Sequence, residues 1–340
     1  MGKGMFQKDK AAPENLTGNF TRNINLIITE ETGVWTYPVL GLEKALIASG
    51  VRPVSQKSTG FWRFLTKAQA RAGMVRNFWK AGKDIYLAIL MGPANYRLFP
   101  YSYFREAVIY GFDCWPAQFP RWEAFLRRNR IRLAFFTARH SAEYFSQKIP
   151  GMKGEWLPEA VEPEAYHHSK GLEERSIDVL ELGRRNETLH QAITQRLKES
   201  RRVHLYEPEK GRIVFPTREG LVQGLADSKI SVCYPSSITH PERSGEVETV
   251  THRYFESMAS GCILWGKCPQ ELRDLFGYNP VIEVDERSPY EQLEEILQNL
   301  GSYQELVCRN YQRLLEVGTW RVRAAAMLEV LKGYDLSSNH

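Results

Sequence analysis

The feature that most constrains the fold of this sequence is a repeated alternation of short apolar runs with amphipathic helical patterns. Apolar runs of strand length that are each followed by a helix predict parallel βαβ units, because parallel strands need a crossover connection. The runs of the first half occupy residues 23–29, 51–55, 84–91, 107–112 and 133–137. The pattern restarts near residue 172, with runs at residues 177–182, 203–206, 231–235, 262–265 and 281–284. The sequence therefore predicts an α/β chain with two sheets in two domains.

The domain boundaries follow from this restart. Residues 1–22 are polar and are predicted to be a flexible lead-in, and residues 23–172 form the first predicted domain. Residues 173–318 form the second, and a last helical pattern lies within residues 319–340. Open α/β sheets bind ligands outside the carboxyl ends of their strands, so two facing sheets predict a ligand cleft between the domains.

Charge and cysteine content restrict the function only mildly. The net charge of +5 suits an anionic small ligand or an acidic membrane surface as well as nucleic acid. No recognised nucleic-acid motif accompanies it, so we predict no nucleic-acid partner. The five cysteines are scattered without a CxxC pair, which predicts reduced, mostly buried thiols and argues against a zinc ribbon or a disulfide framework.

The sequence shows neither the pattern of a signal peptide nor that of a membrane-spanning segment. The polar N-terminus lacks the apolar core of a signal peptide, and no run of about 18 apolar residues occurs. We therefore expect a cytoplasmic protein and leave open a peripheral position on the inner face of a membrane.

The segment 248–261 carries the clearest functional pattern. Thr251 is placed to cap the start of a helix, and Gly261 is placed to end it. His252 and Glu256 are four residues apart on that helix, so they share one face. A carboxylate at Glu256 accepts hydrogen bonds only, which suits the two hydroxyls of a ribose.

Two further residues of this segment fit a phosphorylated sugar ligand. The free N–H groups of a helix start form a natural anion site, and Arg253 adds a forked donor suited to phosphate. Glu248 lies in the loop before the helix, where it is free to reach a second polyol.

This segment resembles the signature of retaining GT-B glycosyltransferases of glycosyltransferase family 4, in which two glutamates are separated by seven residues. The resemblance implies that Glu248 contacts the donor sugar and that Glu256 contacts the nucleotide ribose. Three more stretches are similar to that family: SMASGCILW at 257–265, LPEAVEPEAYHH at 157–168 and VLELGRR at 179–185. Arg184 then takes the place of the arginine that grips the donor diphosphate.

The sequence also departs from the family pattern. Leu189 stands where the family has a lysine, so Arg185, Arg218 and Arg253 are the candidates to supply the missing charge. The loop before the second glutamate reads EVETVTHRYFE and lacks the family's glycines. Contacts from its backbone N–H groups to the donor sugar are therefore left open.

The resemblance implies a GT-B fold of two Rossmann-like domains, with the last helix crossing back onto the first. It implies transfer of a sugar, with retention, from a nucleotide-diphosphate donor, UDP-sugar favoured, to a glycan or lipid-linked acceptor. Hexosyl transfer in polysaccharide or glycoconjugate biosynthesis is the expected setting. No D-x-D triplet occurs, so we expect neither a metal nor another cofactor. The alternatives are a nucleotide-sugar epimerase of the same fold and a non-catalytic nucleotide- or glycan-binding module.

Three positions outside the segment complete the predicted site. Gly33 follows the first strand, where the family often has a glycine-rich turn, although a simple strand-to-helix turn is equally consistent. Asp113 ends a strand and is predicted to orient the acceptor hydroxyl or act as base, with a turn cap as the alternative. Thr217 is assigned to the donor-binding set. No G-x-G-x-x-G follows the first strand, which argues against a dinucleotide-dependent dehydrogenase.

The segment 61–83 is basic and aromatic and contains no acidic residue. Such a stretch can lie on an anionic membrane surface, which suits a lipid-linked acceptor. An ordinary helix with a solvated basic face is the alternative.

Overall fold

The computed structural model describes residues 23–28, 37–55, 60–72, 84–166, 170–183, 185–209 and 211–334. The predicted lead-in at residues 1–22 and the site candidates Gly33 and Arg184 lie outside these residues. Residues 73–83, the second part of the basic and aromatic segment 61–83, lie outside them too.

The first described sheet is parallel throughout and has the strand order β2-β1-β3-β4-β5-β6. Every apolar run predicted in the first half forms one of its strands. Strand β6 was not predicted, because its Lys-Gly-Glu-Trp sequence lies at the sheet edge, where no continuous apolar run is needed. The strands are β1 (Ile24–Ile27), β2 (Arg52–Val54), β3 (Ile85–Leu90), β4 (Glu106–Gly111), β5 (Leu133–Phe136) and β6 (Lys153–Trp156).

The second described sheet is also parallel and has the order β11-β10-β9-β7-β8. Its strands are β7 (Ile177–Glu181), β8 (His204–Tyr206), β9 (Ser228–Cys233), β10 (Ile263–Gly266) and β11 (Ile282–Glu283). Gly266 has φ +151°, and an added Cβ would lie 2.1 Å from the carbonyl oxygen of Cys233 on the neighbouring strand. Only glycine allows this close approach.

Helices cover both faces of each sheet, which explains why the central strands are apolar on both sides. The helices of the first half are α1 (Tyr37–Ala48), α2 (Gly60–Arg71), α3 (Tyr101–Phe104), α4 (Phe119–Arg128) and α5 (Arg139–Lys148). Those of the second half are α6 (Glu187–Glu199), α7 (Arg218–Ala226), α8 (Ser236–Thr239), α9 (Pro241–Ser244), α10 (His252–Ala259), α11 (Gln270–Phe276), α12 (Pro289–Gln298), α13 (Gln304–Val317) and α14 (Trp320–Gly333).

The last helix belongs to the core of the first sheet although it follows the second. Trp320 is 2% exposed and lies in one apolar cluster with residues of β1, β3 and α1. An added Cβ at Gly41 of α1 would lie 2.4 Å from the Trp320 ring, so this glycine makes room for the indole. The chain crosses between the sheets at Val161 and Thr319, which form a parallel bridge.

Two sequence expectations can be read directly from the structure. All five cysteines are free thiols, four of them buried and Cys308 partly buried, as predicted. Among the helices of the described ranges, none combines the length and the apolar character that crossing a membrane requires.

Candidate active site

Helix α10 has the predicted position and length. Thr251 occupies the N-cap position, but its side chain makes no capping hydrogen bond. The helix ends at Ala259, and Gly261 follows in the left-handed region with φ +66°. Tyr254 and Phe255 of this helix are fully buried in the core of the second sheet, and this packing fixes the orientation of the helix.

Glu256 lies at the centre of a network of cations and a phenol. It is 4% exposed, and its Oε1 accepts a hydrogen bond of 2.8 Å from the Tyr166 hydroxyl. Its Oε2 lies 2.8 Å from Nη1 of Arg253, and its Oε1 lies 3.4 Å from Nη1 of Arg218 and 3.5 Å from Nε2 of His252. Burial raises the pKa of Glu256, but Arg253 and His252 outweigh it and bring the pKa below its ordinary value. This carboxylate is therefore ionised and is held ready to accept hydrogen bonds.

Arg218 extends the network from the second sheet to the first. Its Nη1 donates a hydrogen bond of 2.7 Å to the Tyr166 hydroxyl, and its guanidinium lies 4.5 Å from the centre of that ring. The same guanidinium lies 5.2 Å from the ring of Tyr37, which begins α1 in the first half of the chain. The Glu256 network thus lies at the junction of the two sheets.

Two nitrogen atoms at the start of α10 are buried without a hydrogen-bond partner. They are Nδ1 of His252 and Nη1 of Arg253, the latter being close to Glu256 but not aligned for a hydrogen bond. Burial is the largest influence on His252 and lowers its pKa. Buried polar atoms without partners are uncommon in proteins, so this helix start is suited to a ligand that supplies acceptors.

Glu159 is a site residue that the sequence reasoning did not identify. Its carboxyl accepts a hydrogen bond from the backbone N–H of His252, and its Oε2 lies 3.9 Å from that residue's Nδ1. Burial, followed by the charge of Asp113, raises the pKa of Glu159 to about 8. A neutral carboxyl group therefore stands at the start of α10 near neutral pH. Its place in the LPEAVEP junction was the only available signal.

Asp113 connects the first half of the chain to α9. It has φ +52°, which is unusual for a residue other than glycine, at the turn after β4. Its Oδ1 accepts a hydrogen bond of 3.0 Å from the Trp115 indole, and its Oδ2 lies 3.0 Å from Nη2 of Arg243. These contacts give the side chain a fixed direction towards the second half.

The loop that carries Glu248 is held by a carboxylate from α11. Glu271 is 4% exposed, and its Oε2 accepts hydrogen bonds from the Thr249 hydroxyl at 2.6 Å and the Val250 N–H at 3.2 Å. Its Oε1 accepts the backbone N–H of Arg139, at the start of α5, at 2.7 Å. Glu248 itself is partly buried beside this anchored stretch.

The remaining predicted residues have structural contacts of their own. The guanidinium of Arg185 lies 2.9 Å from Glu187 and donates to the carbonyl of Glu207 at 2.8 Å. Thr217 caps α7 by accepting a hydrogen bond of 3.0 Å from the N–H of Gly220. Thr217 therefore stabilises the start of α7, the helix whose first residue is Arg218.

Comparison with known proteins identifies the fold. No protein-family model matches the chain, and no curated protein matches its sequence. Sucrose-phosphate synthase from Thermosynechococcus elongatus has a TM-score of 0.59 at 13% identity, with 92% of this chain and 98% of that chain covered. Anabaena HepE in complex with UDP and glucose has a TM-score of 0.55 at 11% identity, with 92% and 100% covered.

A glycosyltransferase from Rickettsia africae is similar to the same extent, with a TM-score of 0.54 at 8% identity, covering 92% of this chain and 98% of that chain. These structures are GT-B glycosyltransferases, and the chain has their fold of two Rossmann-like domains. The predicted fold class is therefore confirmed. Membership of family 4 and the retaining stereochemistry stay predictions.

Proposed function

We propose that this chain is a retaining, metal-independent glycosyltransferase that moves a hexose from a nucleotide-diphosphate donor to a glycan or lipid-linked acceptor. Polysaccharide or glycoconjugate biosynthesis is the setting we favour. The observation that carries the proposal is the ionised, buried Glu256 on α10, surrounded by cations at the junction of two Rossmann-like domains.

In this proposal Glu256 accepts hydrogen bonds from the ribose hydroxyls of the donor, in exchange for one of its present donors. Glu248 contacts the sugar. The nitrogen atoms of Arg253 and His252 that have no hydrogen-bond partner bind the diphosphate together with Arg184 and Arg185, and Gly33 lets backbone approach it. Such positioned donors stabilise the charge that develops on the leaving diphosphate. The HepE structures contain UDP or UDP-glucose, which favours a uridine donor.

The acceptor proton does not require a strong protein base. In a retaining transfer of this kind the departing phosphate oxygen takes the proton from the acceptor hydroxyl. Asp113, directed by Trp115 and Arg243, then orients that hydroxyl. Closure of the two domains excludes water and so limits hydrolysis of the donor.

The test begins with a thermal-shift screen against UDP, GDP, ADP and their sugars, since a ligand of the folded state raises the unfolding temperature. We expect UDP to bind and Glu256→Gln to weaken it by roughly 10-fold or more, as loss of hydrogen bonds to a charged group costs about 1.5–3 kcal/mol. The exposed Glu242→Gln is the matched control on the same half of the chain. Donor cleavage is then measured for each variant.

Each alternative gives a different result. Nucleotide binding without donor cleavage indicates a binding module, and interconversion of two UDP-sugars without transfer indicates an epimerase. If the wild type cleaves no nucleotide-sugar and Glu256→Gln leaves nucleotide affinity unchanged, the proposal is wrong.

We also propose that α2 contacts an anionic membrane. Phe61 and Phe64 are 63% and 67% exposed on this helix, beside Arg63, Lys67 and Arg71. Apolar side chains flanked by cations are suited to the headgroup boundary of acidic lipids. Phe61→Ser with Phe64→Ser should abolish co-sedimentation with phosphatidylserine vesicles at low salt, whereas an exposed Ile47→Ser on α1 should not. Wild-type protein that does not co-sediment with these vesicles would refute the proposed membrane contact.

A further inference from the structure

Two histidine side chains outside the Glu256 network converge on one carboxylate oxygen of the second domain. Glu181 ends β7, His190 lies in α6 and His204 begins β8. Oε1 of Glu181 lies 2.8 Å from Nδ1 of His190 and 2.7 Å from Nε2 of His204. One nitrogen or oxygen atom from each residue lies within 4.8 Å of the others.

This cluster is buried and incompletely satisfied. Glu181 is 2% exposed, and the side chains of His190 and His204 are 11% and 5% exposed. Oε2 of Glu181 and Nδ1 of His204 are both buried without a hydrogen-bond partner. A buried carboxylate oxygen without a donor is costly, and a bound cation is one way to compensate it.

The geometry points to a binding site for a divalent transition-metal ion at Glu181, His190 and His204, and we propose Zn²⁺ as the ion that fits it best. Two imidazole nitrogens with one carboxylate are a common ligand set for zinc, whereas Mg²⁺ and Ca²⁺ prefer oxygen ligands. Oε2 of Glu181 or a water completes the coordination. The proposal does not depend on the proposed transfer, none of whose steps uses this ion.

The cluster must rearrange to accept the ion. Ligands about 2.0–2.1 Å from a tetrahedral zinc lie about 3.3 Å from one another, so the two Glu181–histidine contacts must open by roughly half an ångström. The ligand atoms, which now lie within 4.8 Å of one another, must all adopt that spacing. The present contacts correspond to imidazole N–H groups that donate to the carboxylate. On metal binding each neutral imidazole carries its proton on the other ring nitrogen and turns a lone pair to the ion.

The ion would hold together the elements that flank the predicted diphosphate contacts Arg184 and Arg185 in the chain. Its ligands come from three elements, β7, β8 and α6, and the Tyr206 ring packs on both histidines at 4.6 and 4.7 Å. The guanidinium of Arg185 lies 5.6 Å from the same ring. We therefore assign the ion a structural role, holding the start of α6 against the sheet edge.

The test measures metal content and stability, not activity. Full-length protein without a histidine tag is incubated with Zn²⁺, dialysed, and analysed for bound metal and thermal unfolding. We expect about one Zn²⁺ per chain and a higher unfolding temperature than with chelator, because a ligand of the folded state stabilises it. His204→Gln and Glu181→Gln should lower Zn²⁺ affinity by more than the roughly 10–100-fold that loss of a metal ligand's hydrogen-bond partner costs.

The control and a second readout keep the proposal testable if one variant fails to fold. His140→Gln changes an exposed histidine outside the cluster and should bind Zn²⁺ as the wild type does. Co²⁺ bound to the wild type should give a visible absorption band that Zn²⁺ removes. Wild-type protein that retains no metal, or folded His204→Gln that retains as much as the wild type, would overturn the proposal.

Discussion

Glu159 should make the stability of this protein fall as the pH rises through neutrality. Burial, with Asp113 as the next contribution and Glu256 and Glu271 as smaller ones, raises its pKa from an ordinary 4.5 to about 8. The hydrogen bond from the His252 N–H acts in the opposite direction. The folded protein therefore keeps the proton to higher pH than the unfolded chain does. Because the folded state holds a proton that the unfolded chain has lost, the free energy of unfolding falls as the pH rises from about 4.5 to about 8 and levels off above that.

The magnitude follows from the pKa. The unfolded carboxyl is already ionised well below neutral pH, so between about pH 7 and about pH 9 only the folded state loses the proton. For a folded pKa of about 8, this loss lowers the free energy of unfolding by about 1.4 kcal/mol across that interval. Glu159→Gln cannot ionise and can still accept the His252 N–H. The variant should therefore gain about 1.4 kcal/mol relative to the wild type between the two pH values.

The assay is urea unfolding followed by tryptophan fluorescence at a series of pH values. Buried thiols such as Cys233, whose pKa burial raises to about 12, also make stability fall at high pH, but they contribute equally to both proteins and cancel in the difference. Glu164→Gln, an exposed change in the same segment, should give a profile parallel to the wild type. Parallel profiles for Glu159→Gln and the wild type would refute the raised pKa.

Three further changes test how the site is supported. Glu271→Ala should lower the free energy of unfolding by about 3 kcal/mol, because two buried donors and one partly buried donor lose their acceptor. Asp274→Ala, an exposed change on the same helix, should alter it little, and equal effects would contradict this. Gly266→Ala should lower the free energy of unfolding by roughly 3 kcal/mol or more, because the added Cβ meets the carbonyl of the neighbouring strand. Gly277→Ala, which has open space around it, should lower it by about 1 kcal/mol. Gly41→Ala should lower the free energy of unfolding by about 1–3 kcal/mol, because the added Cβ displaces the last helix. A urea unfolding curve identical to that of the wild type would contradict this.

The sequence is informative wherever local periodicity reflects burial. Central strands such as β4 and β10 lie between two helical layers, so they appear as unbroken apolar runs and were all predicted. Edge strand β6 and the short helix α11 were not, because neither has a continuous apolar run or a long periodic pattern. The fold class follows from the alternation alone, whereas the exact set of elements depends on long-range packing.

The contacts of the candidate site also differ in how far the sequence predicts them. The shared face of His252 and Glu256 follows from their spacing on one helix, and it is present. Tyr166 is 90 residues from Glu256, and Arg218 is 38 residues from it, so no local pattern could have joined them. The raised pKa of Glu159 likewise depends on groups from three other segments of the chain.

The loop before α10 shows how a departure from a family pattern can be compensated at a distance. The glycines that shape this loop in the resembling family are missing, yet the loop is fixed, because Glu271 accepts hydrogen bonds from Thr249 and Val250. The same carboxylate accepts the N–H of Arg139, at the first residue of a helix in the other domain. Moving the domains apart would separate the Arg139 N–H from Glu271, the acceptor that it shares with Thr249 and Val250. The position of Glu248 and the docking of the two domains are therefore coupled through one side chain, which a purely local loop of glycines would not achieve.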